Sequence, residues 1–351
     1  MALSIQRLNF DPVTGDNPSE AFMKLDLDIG VVSDAINGLG DASSKSVGTT
    51  AGTVASGIDP RFGDRGRRNL LFNASLRINQ RVFGGGALAA NTYGYDLWRT
   101  FGAASSFTRS ADRTTITLNG TIGQIIEAPD LAGATVTVSV RNPSGAITVN
   151  LRPDATTAGV SGTITSGSGL RSVTLVIPSS LTGSVYMQLT TAAAVTFDGS
   201  AKQGGIQFEM GSFASNFEIA GFAAEIAACQ RQYCKSFLID TAPATGLSQD
   251  TTGQCFYQAT GVTTAAARCS TIRFPVSMRA SPAITLYTCA VAPSQATGSW
   301  TLFNGSTYSN GAVGAAISSS EGFTPTLSFG SGVQVLASYS VIGHWTADAS
   351  I

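Results

Sequence analysis

The sequence predicts a mainly β protein, with a jelly-roll β-sandwich followed by a second β-sandwich domain, an N-terminal helix and one linking helix. Short segments that alternate polar and apolar residues recur along the chain, as in TTITLNG (114–120) and ATVTVSV (134–140). Turn-forming residues separate these segments, and glycine alone accounts for 39 of the 351 residues. Many short strands at regular spacing are typical of sandwiches and related all-β folds.

The stretch at residues 21–41 has helical spacing instead. Pro18 lies where a first helical turn would begin, and the Gly38–Gly40 region would end the helix. Its apolar residues are separated by alternating steps of three and four, the a/d pattern of a coiled-coil seam: Phe22, Leu25, Ile29, Val32, Ile36 and Leu39. This periodicity allows two interpretations, an amphipathic helix on its own domain or a short bundle of several copies.

Composition divides the remaining chain. Residues 41–68 are small, polar and Gly-rich, which predicts a flexible linker after the helical segment 1–40. Residues 69–222 contain the alternating segments of the jelly roll, and residues 241–351 contain those of a distal C-terminal β domain. Between them the spacing predicts a linking helix over 223–240, because Phe222, Ile226, Cys229, Tyr233 and Phe237 share one helical face.

Charge and hydropathy exclude several classes of function. Only 12% of residues are charged and the formal net charge is −1, so nucleic-acid binding is not expected. No run of about 18 apolar residues predicts membrane insertion, and no basic-then-apolar signal pattern is present. We therefore expect synthesis in the cytoplasm without membrane insertion.

Catalytic and metal-binding residues are sparse. His344 is the sole histidine and lies in a predicted strand, so a packed histidine is expected rather than a hydrolytic one. The carboxylates of the β regions are mostly single residues in turns, which gives no predicted glycosidase pair. The five cysteines cannot all pair; Cys229 and Cys234 face different sides of the predicted helix, and His344 is distant in sequence. The sequence therefore predicts no enzyme, metal site or cofactor.

Several segments together resemble a known family. NLLFNASLRINQR (69–81), YGYDLW (93–98) and the stretch 206–237 resemble a carbohydrate-binding-module-like jelly roll of tailed-bacteriophage tail fibres and receptor-binding proteins. TIRFPVSMRASPAITLY (271–287) and YSVIGHWTADASI (339–351) are similar to the C-terminal β domain of many such fibres. The N-terminal DNPSEAFMKLDLDIG also resembles a virion-attachment end.

This resemblance implies a tail fibre or spike that binds bacterial surface glycans during adsorption to the host. It implies a homotrimer on the exterior of the virion, with the N-terminal segment contacting other virion proteins. Ile29 and Ile36 at a positions are compatible with a three-helix seam. The alternative is a purely structural virion component, such as a head fibre, decoration or baseplate protein; a glycan-degrading enzyme is the third possibility.

Sugar binding requires an aromatic face and fixed polar groups. Trp300 and Tyr308 are interleaved with loop residues in GSWTLFNGSTYSNG and are the first candidates for carbohydrate contacts, with Tyr257 in CFYQATG as a weaker one. The glycan, the position on the particle and the domain that carries the site all stay open. The resemblance also permits a structural calcium, which no acidic cluster of the sequence requires.

Overall fold

Two units make up the chain in a computed structural model, Met1–Gly66 and Arg67–Ile351. In the first unit, strands β1 (Val47–Gly48) and β2 (Val54–Ala55) form a parallel pair inside the predicted linker. The predicted helical segment 1–40, with its seam, lies outside the described residues. The structure describes residues 47–48, 54–55, 68–127, 130–200, 204–248, 251–262, 266–303, 306–328 and 340–350.

The second unit is built mainly of antiparallel β-sheets, which confirms the predicted fold class. Its first ten strands are β3 (Gly86–Leu88), β4 (Arg99–Thr100), β5 (Ser105–Arg109), β6 (Thr115–Ile126), β7 (Thr135–Arg141), β8 (Ile147–Arg152), β9 (Val160–Ile164), β10 (Leu170–Val176), β11 (Val185–Asp198) and β12 (Gln207–Met210).

These strands form two sheets that share one hydrophobic core. One sheet has the order β3-β5-β6-β11-β8-β9, with β4 beside β6, and the other has the order β10-β7-β12. Alternation in sequence places side chains on opposite faces of a strand. Val136 and Val138 of β7 therefore join Ile116 and Leu118 of β6 in the core, together with the fully buried Trp98.

A single short helix, α1 (Phe222–Gln230), follows the first two sheets among the described residues. Its Glu225 is buried and pairs with Arg77 at 2.7 Å. The predicted helix over 223–240 is wrong beyond Gln230, because the chain turns there and Tyr233–Lys235 forms strand β13. This strand pairs with the C-terminal strand of the chain, so distant backbone hydrogen bonds replace the expected helical ones.

The described part of the chain after α1 has ten strands. Besides β13 they are β14 (Phe256–Val262), β15 (Ala266–Cys269), β16 (Ile272–Arg273), β17 (Ala283–Tyr287), β18 (Ser299–Phe303), β19 (Tyr308–Ser319), β20 (Gly322–Ser328), β21 (Ser340–Ile342) and β22 (His344–Asp348). One sheet has the order β13-β22-β17, and the other runs β15-β14-β21-β18-β19-β20-β16. Strand β15 also pairs with β20, which closes six strands into a ring.

Polar contacts join the two β regions within this unit. Arg81 pairs with Asp348 of β22 at 2.8 Å and lies over the ring of Tyr233 at 4.0 Å. Glu127 pairs with both Arg231 and Arg279. The predicted division into domains at 69–222 and 241–351 stays a prediction, although each region has a hydrophobic cluster of its own. No helix within the described ranges is long and apolar enough to cross a membrane.

Candidate ligand-binding cleft

An open cleft of about 480 Å³ lies in the C-terminal region, between β13 and β22 on one side and β14 and β16 on the other. Strand ends and the short turn between β15 and β16 supply most of its walls, so side chains from four segments converge there. The cleft is lined by Lys235, Ser236, Gln254, Tyr257, Gln258, Ser270, Thr271, Ile272, Arg273, Pro275 and Trp345.

Two aromatic residues form the floor of the cleft. The indole Nε1 of Trp345 donates a hydrogen bond to the hydroxyl of Tyr257 at 3.0 Å, and that hydroxyl donates to the carbonyl of Gln254 at 3.0 Å. The ring of Tyr257 stacks on the buried Trp300, with centroids 5.2 Å apart and planes 6° from parallel. Burial raises the pKa of the Tyr257 phenol well above its usual value. The two rings are therefore fixed in orientation before any ligand enters.

Polar and basic side chains surround this floor. Gln254, Gln258, Ser270, Thr271 and Arg273 are exposed around the opening and can donate or accept hydrogen bonds. The amides offer donors and acceptors together, whereas the guanidinium offers only donors in a planar fork. This mixture suits a ligand that carries several hydroxyl groups.

Lys235 contributes a partly buried ammonium to the same wall. Its Nζ donates to the carbonyls of Ile239 and Thr241 at 3.0 and 2.7 Å, which fixes the side chain. Burial lowers the pKa of Lys235 to about 8, because water no longer solvates the charged form. The ammonium is consequently mostly charged at neutral pH, and it gives the cleft a positive wall.

A hydroxyl–histidine–hydroxyl chain lies behind the cleft. The Oγ of Ser236 is 3.0 Å from Nδ1 of His344, and the Oγ1 of Thr252 is 2.9 Å from Nε2. Thr252 donates its proton to the carbonyl of Ser248, so it accepts from Nε2–H, and Ser236 then donates to Nδ1. A hydrolytic triad instead places a carboxylate on the second histidine nitrogen. His344 is fully buried, and burial lowers its pKa to about 4.

The structure separates the three residues predicted to contact carbohydrate. Trp300 is 0% exposed and donates from Nε1 to the carbonyl of His344 at 2.8 Å, so its selection as a contact residue is corrected. The ring of Tyr257 stacks on it, and Gly343 lies against its indole ring. Tyr308 is 39% exposed and stacks on Phe303 at 4.6 Å, but it does not line the cleft. Tyr257, the weaker candidate, does line it.

Sequence reasoning missed most of the cleft. Trp345 and Ser236 lie near the two ends of the C-terminal region, and only the pairing of β13 with β22 brings them together. Arg273 lies in TIRFP, where polar and apolar residues alternate and mark which side chains leave the core. This alternation was the one signal in the sequence that predicted an exposed side chain at Arg273.

One group of potential metal ligands stands near the cleft. The residues that the structure describes contain a single group of three or more potential metal-ligating side chains. It consists of Cys255, Cys289 and His344. The expectation of no metal site rested partly on the distance in sequence between His344 and the cysteines. The fold places His344 next to Cys255 and Cys289.

Comparison with known proteins adds only weak likenesses. No family model matches the chain, and no curated protein matches it in sequence. The carbohydrate-binding module TmCBM61, solved in complex with beta-1,4-galactotriose, is 13% identical with a TM-score of 0.23, over 41% of this chain and 100% of that chain. Discoidin II of Dictyostelium discoideum is 10% identical with a TM-score of 0.17, over 69% of this chain and 80% of that chain.

A xanthan lyase of Paenibacillus is 13% identical with a TM-score of 0.20, over 72% of this chain and 26% of that chain. Likenesses of this size carry no argument about function. The case for a function therefore rests on the cleft itself.

Proposed function

We propose that this protein binds a bacterial surface glycan, and that the cleft over Tyr257 and Trp345 is the binding site. The observation that carries this proposal is the convergence of two fixed aromatic rings with a polar rim in one cavity of about 480 Å³. A cavity of that volume suits a ligand of one or two sugar rings.

Sugar recognition explains why both kinds of side chain occur together. The apolar face of a pyranose packs against aromatic rings, while its hydroxyls need donors and acceptors at fixed positions. Gln254 and Gln258 supply both, and Arg273 supplies a planar pair of donors. Pre-positioning of Tyr257 by its two hydrogen bonds reduces the entropy lost on binding.

Binding without turnover is the form of activity that we propose. Of the described residues that line the cleft, none carries a carboxylate, whereas glycosidases use a pair of them. The Ser236–His344 pair has a threonine hydroxyl where a hydrolase has an acidic group. Incubated glycan should therefore release no new reducing ends.

The biological setting that we propose is adsorption of a bacteriophage, or a phage-like particle, to its host. The sequence resemblance to tail-fibre and receptor-binding proteins supports it, and so does the coiled-coil pattern of residues 21–41. Three chains joined at that segment would gain avidity from weak individual sites. A purely structural virion component is the alternative, and it predicts no glycan binding by the isolated protein.

The test uses the full chain on an array of purified bacterial capsular and O-antigen polysaccharides. Gln258→Ala and Arg273→Gln change side chains that line the cleft, and Arg113→Gln is the matched control on an exposed turn of the first β region. We expect a common set of bound glycans whose affinity falls by about tenfold in each cleft variant, the loss of one or two hydrogen bonds. The control should bind like the parent.

Two results would contradict the proposal. Absence of binding to every polysaccharide, by a protein shown to be folded, would favour the structural component. Binding that survives both cleft substitutions but is lost in Tyr308→Ala would move the site to the exposed ring stacked on Phe303.

A further inference from the structure

The buried group of Cys255, Cys289 and His344 has no part in the proposed glycan site. All three residues are 0% exposed, and their ligand atoms lie within 4.8 Å of one another. The three come from different parts of the C-terminal region. Cys255 precedes β14, Cys289 follows β17, and His344 begins β22.

We propose that Cys255, Cys289 and His344 bind a zinc ion. Thiolate sulfur and imidazole nitrogen are the ligands that zinc prefers in proteins. In a tetrahedral site two zinc-bound sulfurs are about 3.8 Å apart, given a Zn–S distance of about 2.3 Å. The observed spacing of up to 4.8 Å therefore requires the ligand atoms to close by about 1 Å at most.

The backbone already holds the three ligands in place. The carbonyl of Cys255 accepts a hydrogen bond from Gly343 N–H at 2.9 Å, next to His344. Cys289 forms an isolated parallel bridge with Leu247, and His344 is paired with Tyr287 in the β17–β22 ladder. Because these contacts form without metal, the backbone around the three ligands needs little reordering when an ion binds.

Histidine orientation also fits a metal ligand. A metal-bound histidine almost always has a hydrogen-bond partner on its second nitrogen, which fixes the ring. His344 has a hydroxyl at each nitrogen, Ser236 on one side and Thr252 on the other. Zinc binding therefore exchanges one of these hydrogen bonds for the metal, while the other nitrogen keeps its partner. The ring also stacks on Phe237 with centroids 4.1 Å apart, which limits its rotation.

An apolar shell encloses the group and determines the proton balance. Ile342 is buried in the same cluster, and Val291 and Phe303 pack against it. A hydrogen bond with Cys255 and burial both raise the pKa of the Cys289 thiol. An ordinary thiol, with a pKa of about 8.5, is already protonated at neutral pH when no metal is bound. Zinc binding replaces the two thiol protons, which pass to solvent, and two Zn–S bonds form. No oxidation or reduction is involved.

The consequence is a cross-link among irregular segments. The described residues in 236–248, 251–255 and 288–298 belong to no strand, yet Thr252 and Cys255 contact His344 and Gly343 at the start of β22. A bound ion joins them at one point and stabilises the folded state by mass action.

The experiment measures metal in the full chain. The protein is produced in zinc-supplemented medium without a histidine tag or chelator, and gel-filtered protein is analysed by plasma mass spectrometry. We expect equimolar zinc. Replacement by Co²⁺ should give thiolate charge-transfer bands in the near ultraviolet and visible d–d bands of a tetrahedral site. Removal of zinc by a chelator should lower the thermal midpoint.

Cysteine variants test which residues bind the metal. Cys255→Ser and Cys289→Ser should lose the metal, while Cys269→Ser, another buried cysteine of the same region, should keep it. If the ligand variants fail to fold, the metal content and cobalt spectrum of the parent still decide. Parent protein without zinc overturns the proposal. A zinc-free parent whose mass is lower by two hydrogens would contain one disulfide, and peptide mapping would show whether it joins Cys255 and Cys289. Glycan binding is measured on the same samples, so that failure of the zinc site and failure of the glycan site are distinguished.

Discussion

Trp345 and Tyr257 are joined side chain to side chain, with the indole nitrogen 3.0 Å from the phenol oxygen. They are 88 residues apart in sequence, on β22 and β14, so this contact links the two sheets of the C-terminal region. The bond satisfies the only polar atom of a tryptophan side chain that is 5% exposed. The two residues that form the floor of the cleft thus also connect the two sheets.

Removal of the phenol oxygen should cost stability. In Tyr257→Phe the indole N–H of Trp345 loses its partner while still buried, and we expect a loss of about 1 to 3 kcal/mol in the free energy of unfolding. Urea titration followed by tryptophan fluorescence measures it. Tyr308→Phe is the matched control on a more exposed ring and should change stability by less than about 0.5 kcal/mol. Equal effects in the two variants would contradict the assignment.

The Arg81–Asp348 pair should make the free energy of unfolding depend on pH in the acid range. Burial by itself would raise the pKa of Asp348, but the hydrogen bond and charge of Arg81 outweigh it and hold the pKa below its usual value. A carboxyl whose folded-state pKa is depressed stabilises the protein above its unfolded-state pKa, and this contribution is lost as pH falls through the folded-state value. The loss therefore begins below about pH 4.

A double-mutant cycle isolates that pair. Arg81→Met, Asp348→Asn and the double variant are unfolded in urea at pH 7 and pH 3. We expect a coupling free energy of about 1 kcal/mol at pH 7, since the carboxylate is 38% exposed and partly screened. It should be smaller at pH 3, where protonation of Asp348 has begun. A coupling that does not change with pH would show that the charge of Asp348 contributes nothing.

Gly343 should not tolerate a side chain. A Cβ at this position would lie 2.0 Å from Cδ1 of the buried Trp300, whose ring is confined by Tyr257. We expect Gly343→Ala to lower the free energy of unfolding by about 1 to 3 kcal/mol, the range for overpacking in a core. Gly183→Ala is the control, because nothing lies within 4 Å of its added Cβ. Thermal unfolding of both variants is the measurement, and an unchanged midpoint for Gly343→Ala would contradict the packing.

The N-terminal segment should determine the oligomeric state. We expect the full chain to be a trimer by light scattering and a version without residues 1–40 to be a monomer, because the a/d seam lies in the removed segment. A trimer in both cases would place assembly in the β regions. A monomer in both would contradict the fibre proposal and favour the structural component.

Sequence by itself determined the strand-rich character of the chain. Val136, Val138 and Val140 alternate with polar residues, and that pattern predicts strand β7 and the side of it that joins the hydrophobic core. It did not predict that Thr137 and Ser139 on the other side are buried as well. The start of α1 was equally readable from its spacing. Its end was not, since Tyr233–Lys235 continues the helical pattern but pairs with β22.

Tertiary structure decided the sites. Trp300 stands among Gly, Ser and Asn residues and reads as a loop aromatic, yet it lies in β18 and is buried against Tyr257 and Gly343, which come from distant parts of the sequence. Cys255, Cys289 and His344 meet because strands far apart in sequence share one region. Local periodicity reports only which side of an element faces a core. Which elements meet is decided by burial of all those faces together, and no single segment contains that information.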